Sequence, residues 1–486
     1  MTEQSAGMPS LDQIPRRLWI TLCLLAFAAF TLFQWGTWRQ YEDGQIRGDA
    51  VQVFNAMLSR FADGQGMIHV HSDNHFFKNH LMLWLYPIGW LYIICDSLWT
   101  YLTPLNVALA LAIVPLGLLA WRRTRSIVTS IAICVVYTLS AMTGSMRLSI
   151  HPESYLLPGW FLLFYGVETQ RLKWIITGFA ATVLVKEDSG LWLAIFFAWA
   201  LVFRRMPWKH AAAFCVAAIG VFVASRAIMN AIPLTGTTNA IGDFWLSRYG
   251  DVAGSPGELA LWMLKNPATV FQRVVVNGVW LYIVVGAGIL CLLGWREMLL
   301  MLPPAILFFA ATADEFHRAL YYYIYPFVPA AFLALIAGCD WLLKRFCNTP
   351  AKHRALAGFL VLVALAQLLI PTRVDGWMQF PRALLLAERM RIEVGRDMVR
   401  RNVPRDAKVI VAAHYELNQW VPRGRQLVFL RDRDLAIADV AIIDTRRVSA
   451  DLGRENYLKL LERLQQPDSP WKVVEEIDGL VTLKKQ

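Results

Sequence analysis

The chain has 486 residues, is 57% hydrophobic and only 17% charged, and carries a formal net charge of +11. A charged fraction well under the roughly 25% of soluble domains, with a mean hydropathy of +0.43, excludes a soluble globule and a disordered chain. The basic excess sits beside apolar runs and forms no Lys/Arg stripe interleaved with aromatics, which argues against a nucleic-acid partner.

Apolar runs recur through the first 370 residues and, at about 20 residues per crossing, predict a polytopic membrane protein. Arg16 and Arg17 precede a run from Leu18 to Gly36 that is too long for a signal-peptide core and reads as a retained first span. Placing that pair in the cytoplasm puts the polar stretch 37–80 outside. Residues 81–101 carry Pro87, Gly89 and Asp96 and read as a juxtamembrane or re-entrant segment on the outer surface. With that segment not crossing, every later basic cluster falls on the side of Arg16: Arg122 with Arg123 and Arg125, Arg171 with Lys173, Arg204 with Arg205 and Lys209, Arg296, and Lys344 with Arg345, Lys352 and Arg354. The expected spans are 18–36, 103–121, 127–142, 154–168, 173–186, 189–203, 210–230, 275–295, 298–312, 319–342 and 355–371. That is a membrane all-α domain of about eleven helices over residues 1–371, N-terminus cytoplasmic.

From residue 372 to 486 the composition becomes that of a water-soluble domain, placed outside by the parity of the spans. Helices are predicted over 382–401 and 454–465, and strands over 408–413, 426–430 and 439–444. Val473–Glu476 and Leu480–Leu483 flank Asp478-Gly479 and read as a hairpin, completing a small α/β domain. No Gly-rich nucleotide loop opens it. The seven cysteines, Cys23, Cys95, Cys134, Cys215, Cys291, Cys339 and Cys347, lack CxxC spacing and indicate neither a disulfide nor a zinc site.

The same topology gathers scarce polar residues on the outer face. The first loop supplies Asp43, Asp49, His69, His71, Asp73, His75 and His80; later turns supply Arg147, His151 and Glu153, then Lys186, Glu187 and Asp188. A second large loop adds Arg248 and Tyr249, and a further turn adds Asp314, Glu315, His317 and Arg318. Acids and histidines in a solvated loop are ordinary. Three consecutive ionisable residues between two apolar runs must instead be paired, hydrated or functional. Guanidinium forks such as Arg248 suit phosphate oxygens, and the tyrosines from Tyr321 to Tyr325 read as an interfacial belt or a lipid groove. Carboxylates and histidines close in sequence admit a divalent metal, but no ligand spacing compels one.

These residues carry a resemblance. Gly48-Asp49-Ala50, His75-Phe76, His151-Pro152-Glu153, Val185-Lys186-Glu187-Asp188, Arg248-Tyr249-Gly250, Gly254-Ser255-Pro256-Gly257-Glu258, the stretch Tyr323–Pro329 and Val403-Pro404-Arg405-Asp406-Ala407 occur in the order of a family of prokaryotic predicted membrane proteins, a domain of unknown function. That family looks like a branch of the GT-C membrane glycosyltransferases. Its members tend to have Ser-Pro after the loop histidine, where this chain reads Phe77-Lys78-Asn79-His80, so both His75 and His80 fit that position. The resemblance implies a GT-C-like fold in the inner membrane and transfer of a sugar from a polyprenyl-phosphate-linked donor to an acceptor on the outer face. It implies Asp49 as general base with Asp43 as its alternative, Lys186, Arg248 and Arg147 on the phosphate, and Glu187 and Asp188 holding Lys186 or the sugar. His75, His151, Glu153, Tyr249 and His317 would be further substrate contacts. Two rival classes fit an apolar chain of this kind, a lipid or polysaccharide transporter and a membrane scaffold with an outer binding domain. An enzyme would bring Asp49, Lys186 and Arg248 into one cavity, a transporter would line a path with polar groups, and a scaffold would scatter them.

Overall fold

The computed structural model describes residues 14–42, 46, 50–68, 75–78, 80–233, 252–276, 279–309, 324–346, 349–369, 386–405, 409–413, 417–428, 435–446, 453–464, 466 and 468–486. Helix α1, Arg16–Glu42, is 27 residues long, about 40 Å at 1.5 Å per residue, which exceeds the ~30 Å hydrocarbon core. Leu18, Leu22, Ala26, Ala29, Phe33, Thr37 and Gln40 recur every three or four residues and form its buried stripe. Leu24, Phe27 and Trp35 on other faces are exposed, as a lipid-facing surface requires.

A π-helical turn, Ala50–Asn55, leads into α2, Ala56–Ala62. The segment 81–101 then divides. Helix α3, Leu85–Ile94, has ten residues, about 15 Å, and is too short to cross by itself. Leu98–Tyr101, however, open the next span: Ser97 caps α4, Leu98–Leu111, by accepting from the Trp99 amide, and α5, Ile113–Thr124, continues it. Together they form a 27-residue apolar unit, longer at both ends than the expected 103–121. It packs antiparallel to α1, since Gln34 Nε2 donates to Thr103 Oγ1 at 3.2 Å near one end and Leu22 presses on Gly117 near the other. A Cβ at Gly117 would stand 2.3 Å from Leu22, so glycine permits the close crossing.

Helices α6, Ile127–Leu139, and α7, Ala141–Ser149, meet at a 48° bend. Ser140 sits at the break, accepting from the Met142 amide and donating to the Gly286 carbonyl at 2.8 Å. Helices α8, Leu156–Thr169, and α9, Leu172–Val183, form a tight hairpin in which a Cβ on Gly178 would meet Leu163 N at 2.5 Å. Helices α10, Ser189–Val202, and α11, Trp208–Ala231, follow, and further helices cover Pro256–Lys265, Pro267–Val276, Val279–Ala287, Leu302–Phe309, Phe327–Phe346 and Pro350–Leu369.

Among the described residues, four helical units are long and apolar enough to cross alone: Arg16–Glu42, Leu98–Thr124, Trp208–Ala231 and Phe327–Phe346, with the bent α6–α7 pair a fifth. The expected count of eleven is therefore not reproduced as eleven helices of crossing length. The cause is length, for α8, α9 and α10 hold 14, 12 and 14 residues, or about 18 to 21 Å.

The C-terminal part is a five-stranded sheet in the order β2-β1-β3-β5-β4, formed by β1 (Val411–Ala413), β2 (Leu427–Val428), β3 (Val440–Asp444), β4 (Trp471–Ile477) and β5 (Leu480–Lys485). The first three strands pair in parallel and the last two form an antiparallel hairpin. Asp478 and Gly479 both have positive φ, +52° and +77°, the requirement of a two-residue turn that Asp-Gly meets. Helices Leu386–Asn402 and Gly453–Leu464 accompany the sheet. The expected boundary between residues 371 and 372 lies outside the described residues. The sheet region rests on the end of α1 and on Ile46: Gln419 Oε1 accepts from Ile46 N at 3.1 Å, Trp420 Nε1 donates to the Tyr41 carbonyl at 3.2 Å, and Arg396 pairs with Glu42.

Candidate functional site

Three short turns bring charged residues together at the Glu42 end of α1. The first follows α7, where Ile150 takes a left-handed backbone (φ +52°) and ends the helix; His151 is extended and the 3-10 turn Pro152–Tyr155, which holds Glu153, leads into α8. Tyr101 fixes this turn by donating to the Ile150 carbonyl at 2.7 Å. The second turn, Lys186-Glu187-Asp188, joins α9 to α10. Trp84 braces it, donating its amide to the Leu184 carbonyl at 3.1 Å and its indole N–H to Ala181 at 3.0 Å. The third contributes Tyr325, just before helix Phe327–Phe346.

Glu153 is completely buried and both its oxygens are engaged. Lys186 Nζ donates to Oε1 at 2.9 Å, and His151 Nδ1 lies 3.0 Å from Oε2. Burial alone would raise the Glu153 carboxyl, but Lys186 and His151 hold it below the usual carboxylate range. Burial would likewise lower Lys186, yet the surrounding acids, Glu153 foremost, keep its ammonium well above the ordinary lysine value. Lys186 Nζ also lies 3.9 Å from Asp188 Oδ2 and 4.9 Å from the centre of the Tyr325 ring. Tyr325 donates to Asp188 Oδ2 and accepts from Trp192 Nε1 at 3.1 Å. Asp188 is pushed up by burial and by neighbouring Glu187, and its Oδ1 has no hydrogen-bond partner among the described residues.

Glu187 faces the first loop, with Oε1 3.1 Å from His80 Nδ1 and Oε2 buried without a partner among the described residues. Burial would raise this carboxyl, and His80 pulls it below the ordinary value. An aromatic chain joins the two histidines: His80 to Phe76, Phe76 to Phe54, and Phe54 edge-on to His151 with centroids 5.0 Å apart. Phe54 stands in the π-helical turn that begins at Ala50, the residue after Asp49.

The expected site is thus assembled in part. Lys186, Glu187, Asp188, His151 and Glu153 converge. Arg147 is buried but joins a different group, donating to Gln40 Oε1 at 2.9 Å and Thr37 Oγ1 at 3.4 Å on α1. His75 turns to its own loop and accepts from the Phe77 amide at 3.2 Å, with burial lowering its pKa. Between the two loop histidines, His80 is the one in contact with the charged cluster. Asp43, Asp49, Arg248, Tyr249 and His317 lie outside the described residues, as do His69, His71 and Asp73. The Gly254–Glu258 block is a helix start, with Ser255 Oγ accepting from the Glu258 amide at 3.2 Å and Glu258 Oε2 from Gly254 N at 2.8 Å. The sequence does not pair Tyr325 with Asp188 or Trp192 with Tyr325; the tyrosine-rich entry to helix Phe327–Phe346 signals Tyr325 alone, and Trp192 is one more apolar residue of α10. Among the described residues no group of three or more His, Cys, Asp or Glu side chains is placed to hold a metal ion.

Apolar helices of crossing length, a buried charge network at one pole and a small sheet beside it define a helical integral membrane protein. Its fold resembles that of ArnT from Cupriavidus metallidurans bound to undecaprenyl phosphate, with a TM-score of 0.51, 12% identity and coverage of 97% of this chain and 98% of that one. The apo form of the same ArnT aligns at a TM-score of 0.47 and 12% identity over 93% of this chain and 97% of that one. The chain belongs to the family described as predicted membrane protein DUF2079, whose model matches residues 48–481. No curated protein matches it in sequence.

Proposed function

We propose that the chain is a membrane glycosyltransferase that moves a sugar from a polyprenyl-phosphate-type lipid to an acceptor at the outer face of the inner membrane. The observation that carries this reading is the buried network of Glu153, Lys186, Asp188 and Tyr325, drawn from three turns, within an ArnT-like fold covering nearly the whole chain. In this reading the eleven apolar segments cross or enter the bilayer, the Glu153 pole faces outward, and residues 372–486 form an outer α/β domain.

The reaction is a single inverting displacement. Asp49, with Asp43 as the alternative, takes the proton of the acceptor hydroxyl as its oxygen forms the new bond to the anomeric carbon. The bond from that carbon to the lipid phosphate breaks, and the phosphate leaves with the electron pair, its charge met by Arg248 and by Lys186. Lys186 reaches this role from its pair with Glu153, so Glu153 is a positioning residue. The unpartnered oxygens of Asp188 and Glu187 suit sugar hydroxyls, which are donors. Arg147, bound to α1, stiffens the outer end of that helix.

The test is transfer of label from a polyprenyl-phosphate-linked sugar by purified protein in liposomes. Asp49→Asn should abolish transfer while the protein inserts and unfolds as the wild type does. Full activity in that variant would overturn the base assignment, and no activity of the wild type on any such donor would overturn the reading.

A further inference from the structure

At the far end of the helices from Glu153 lies an open cavity of about 890 Å³, lined by seven cations and three carboxylates. The cations come from four separate places: Arg122, Arg123 and Arg125 at the end of α5, Arg205 after α10, Arg296 in the turn Trp295–Met298, and Lys344 with Arg345 at the end of helix Phe327–Phe346. Their ordinary reading is a set of independent topology anchors, each solvated on a loop. The geometry differs from that reading in two respects.

First, the carboxylates are already engaged. Arg123, itself buried, donates to Glu168 at 2.9 Å and to Glu297 at 3.1 Å, Arg205 donates to the same Glu297 at 2.6 Å, and Asp340 pairs with Lys344 at 2.8 Å. Arg122, Arg125, Arg296 and Arg345 have no ion-pair partner among the described residues, so the concave surface keeps an uncompensated positive charge. Second, Arg122 Nη1 and Arg205 Nε are buried without a hydrogen-bond acceptor among the described residues. A buried donor left unpaired is costly, so both guanidinium groups retain unused hydrogen-bonding capacity at the wall of the cavity. Aromatic rings hold the forks in place, with Arg205 over Trp199 at 5.5 Å and Arg296 over Trp295 at 5.4 Å.

We propose that this cavity binds the phosphate group of an anionic lipid. Guanidinium forks match phosphate oxygens two at a time. Trp295 and Trp341, which line the cavity, and neighbouring Phe346 are all exposed and apolar, giving acyl chains a surface beside the charged pocket. The assignment is independent of the transfer chemistry at the opposite pole.

Full-length protein is tested by native mass spectrometry and thermal unfolding with dioctanoyl phosphatidylglycerol, dioctanoyl phosphatidylcholine and inorganic phosphate. The anionic lipid should bind about tenfold or more tightly than the zwitterionic one. The triple variant Arg122→Gln, Arg296→Gln, Arg345→Gln should lose that preference. Lys209→Gln, on a residue that does not line the cavity, should retain it. All three changes avoid the structural pairs of Arg123 and Glu297, and unfolding without added lipid verifies that the triple variant is folded. Inorganic phosphate competing as well as the lipid would keep the phosphate site but assign it to a soluble ligand. Equal binding of the two lipids with no response to phosphate, or a triple variant that retains the preference, would overturn the proposal.

Discussion

Lys186 Nζ lies 2.9 Å from Glu153 Oε1, and both side chains are almost entirely withdrawn from solvent. Removing one partner strands the other charge in a low-dielectric setting, whereas replacing both removes the desolvation cost together with the attraction. Lys186→Met should therefore destabilise the protein by about 3 to 5 kcal/mol, and the double change Lys186→Met with Glu153→Leu by clearly less. Thermal unfolding of the single and double variants in detergent checks this. With Glu153→Leu measured alone as well, a double loss equal to the sum of the two single losses would mean that the pair contributes no coupling.

The same pair gives stability a pH dependence of definite sign. Because the folded Glu153 carboxyl is held below its ordinary value, its contribution is complete above an unfolded pKa of about 4.3 and is lost as pH falls from there toward the depressed folded value. Glu153→Gln lacks this term. The stability gap between wild type and Glu153→Gln should narrow as pH falls below about 4.3. Unfolding midpoints on either side of that pH measure it, and a gap that widens in acid would contradict the assigned direction.

Tyr325 joins Asp188 to Trp192. Tyr325→Phe leaves the ring over Lys186 but takes a donor from Asp188 and an acceptor from the indole. A cost of about 1 to 3 kcal/mol is expected for polar groups left unpaired in a buried setting. If Asp188 also contacts the sugar, transfer should fall further than stability explains, mainly through the donor KM. A loss confined to the unfolding temperature would make the contact purely structural.

Lys186→Ala probes the phosphate role separately. It should weaken use of the lipid-linked donor more than use of the acceptor, by about tenfold or more for loss of a charged hydrogen bond. Kinetics with donor and acceptor varied in turn decide the matter, and an effect mainly on the acceptor would remove Lys186 from the phosphate.

Gly424 tests the seat of the C-terminal sheet. A Cβ there would stand 2.4 Å from the Asn55 carbonyl oxygen, a backbone atom that cannot swing aside. Gly424→Val should loosen the sheet from the first-loop helix and speed proteolysis of the C-terminal region, while membrane insertion is unchanged. Wild-type resistance to protease would show that the contact is dispensable.

Local chemistry was legible in the sequence where it was strong. Asp478-Gly479 marked the terminal hairpin, the break from apolar to polar composition marked the C-terminal unit, and three charged residues between apolar runs marked the Lys186 turn. Long-range pairing was not legible. Arg147, in the last turn of α7, and Glu153, six residues on, are close in sequence, yet one faces α1 and the other Lys186, because the left-handed residue Ile150 reverses the chain between them. Likewise, nothing in the spacing of His75 and His80 says which meets Glu187. Hydropathy marks apolar length but not where a helix breaks, so the segments that became α8, α9 and α10 were legible as apolar runs while the bend at Ser140, inside the expected span 127–142, was not.

The junction between the first loop and the C-terminal sheet also sets a schedule for biogenesis. Ile46 and its partner Gln419 are 373 residues apart. At ~5–20 residues per second, Gln419 is synthesised roughly 20 to 75 s after Ile46. During that interval Ile46 is already made but lacks the side chain that finally accepts from its amide. The Ile46–Gln419 hydrogen bond forms only once nearly the whole polypeptide has been made, so a chain terminated before residue 419 lacks it.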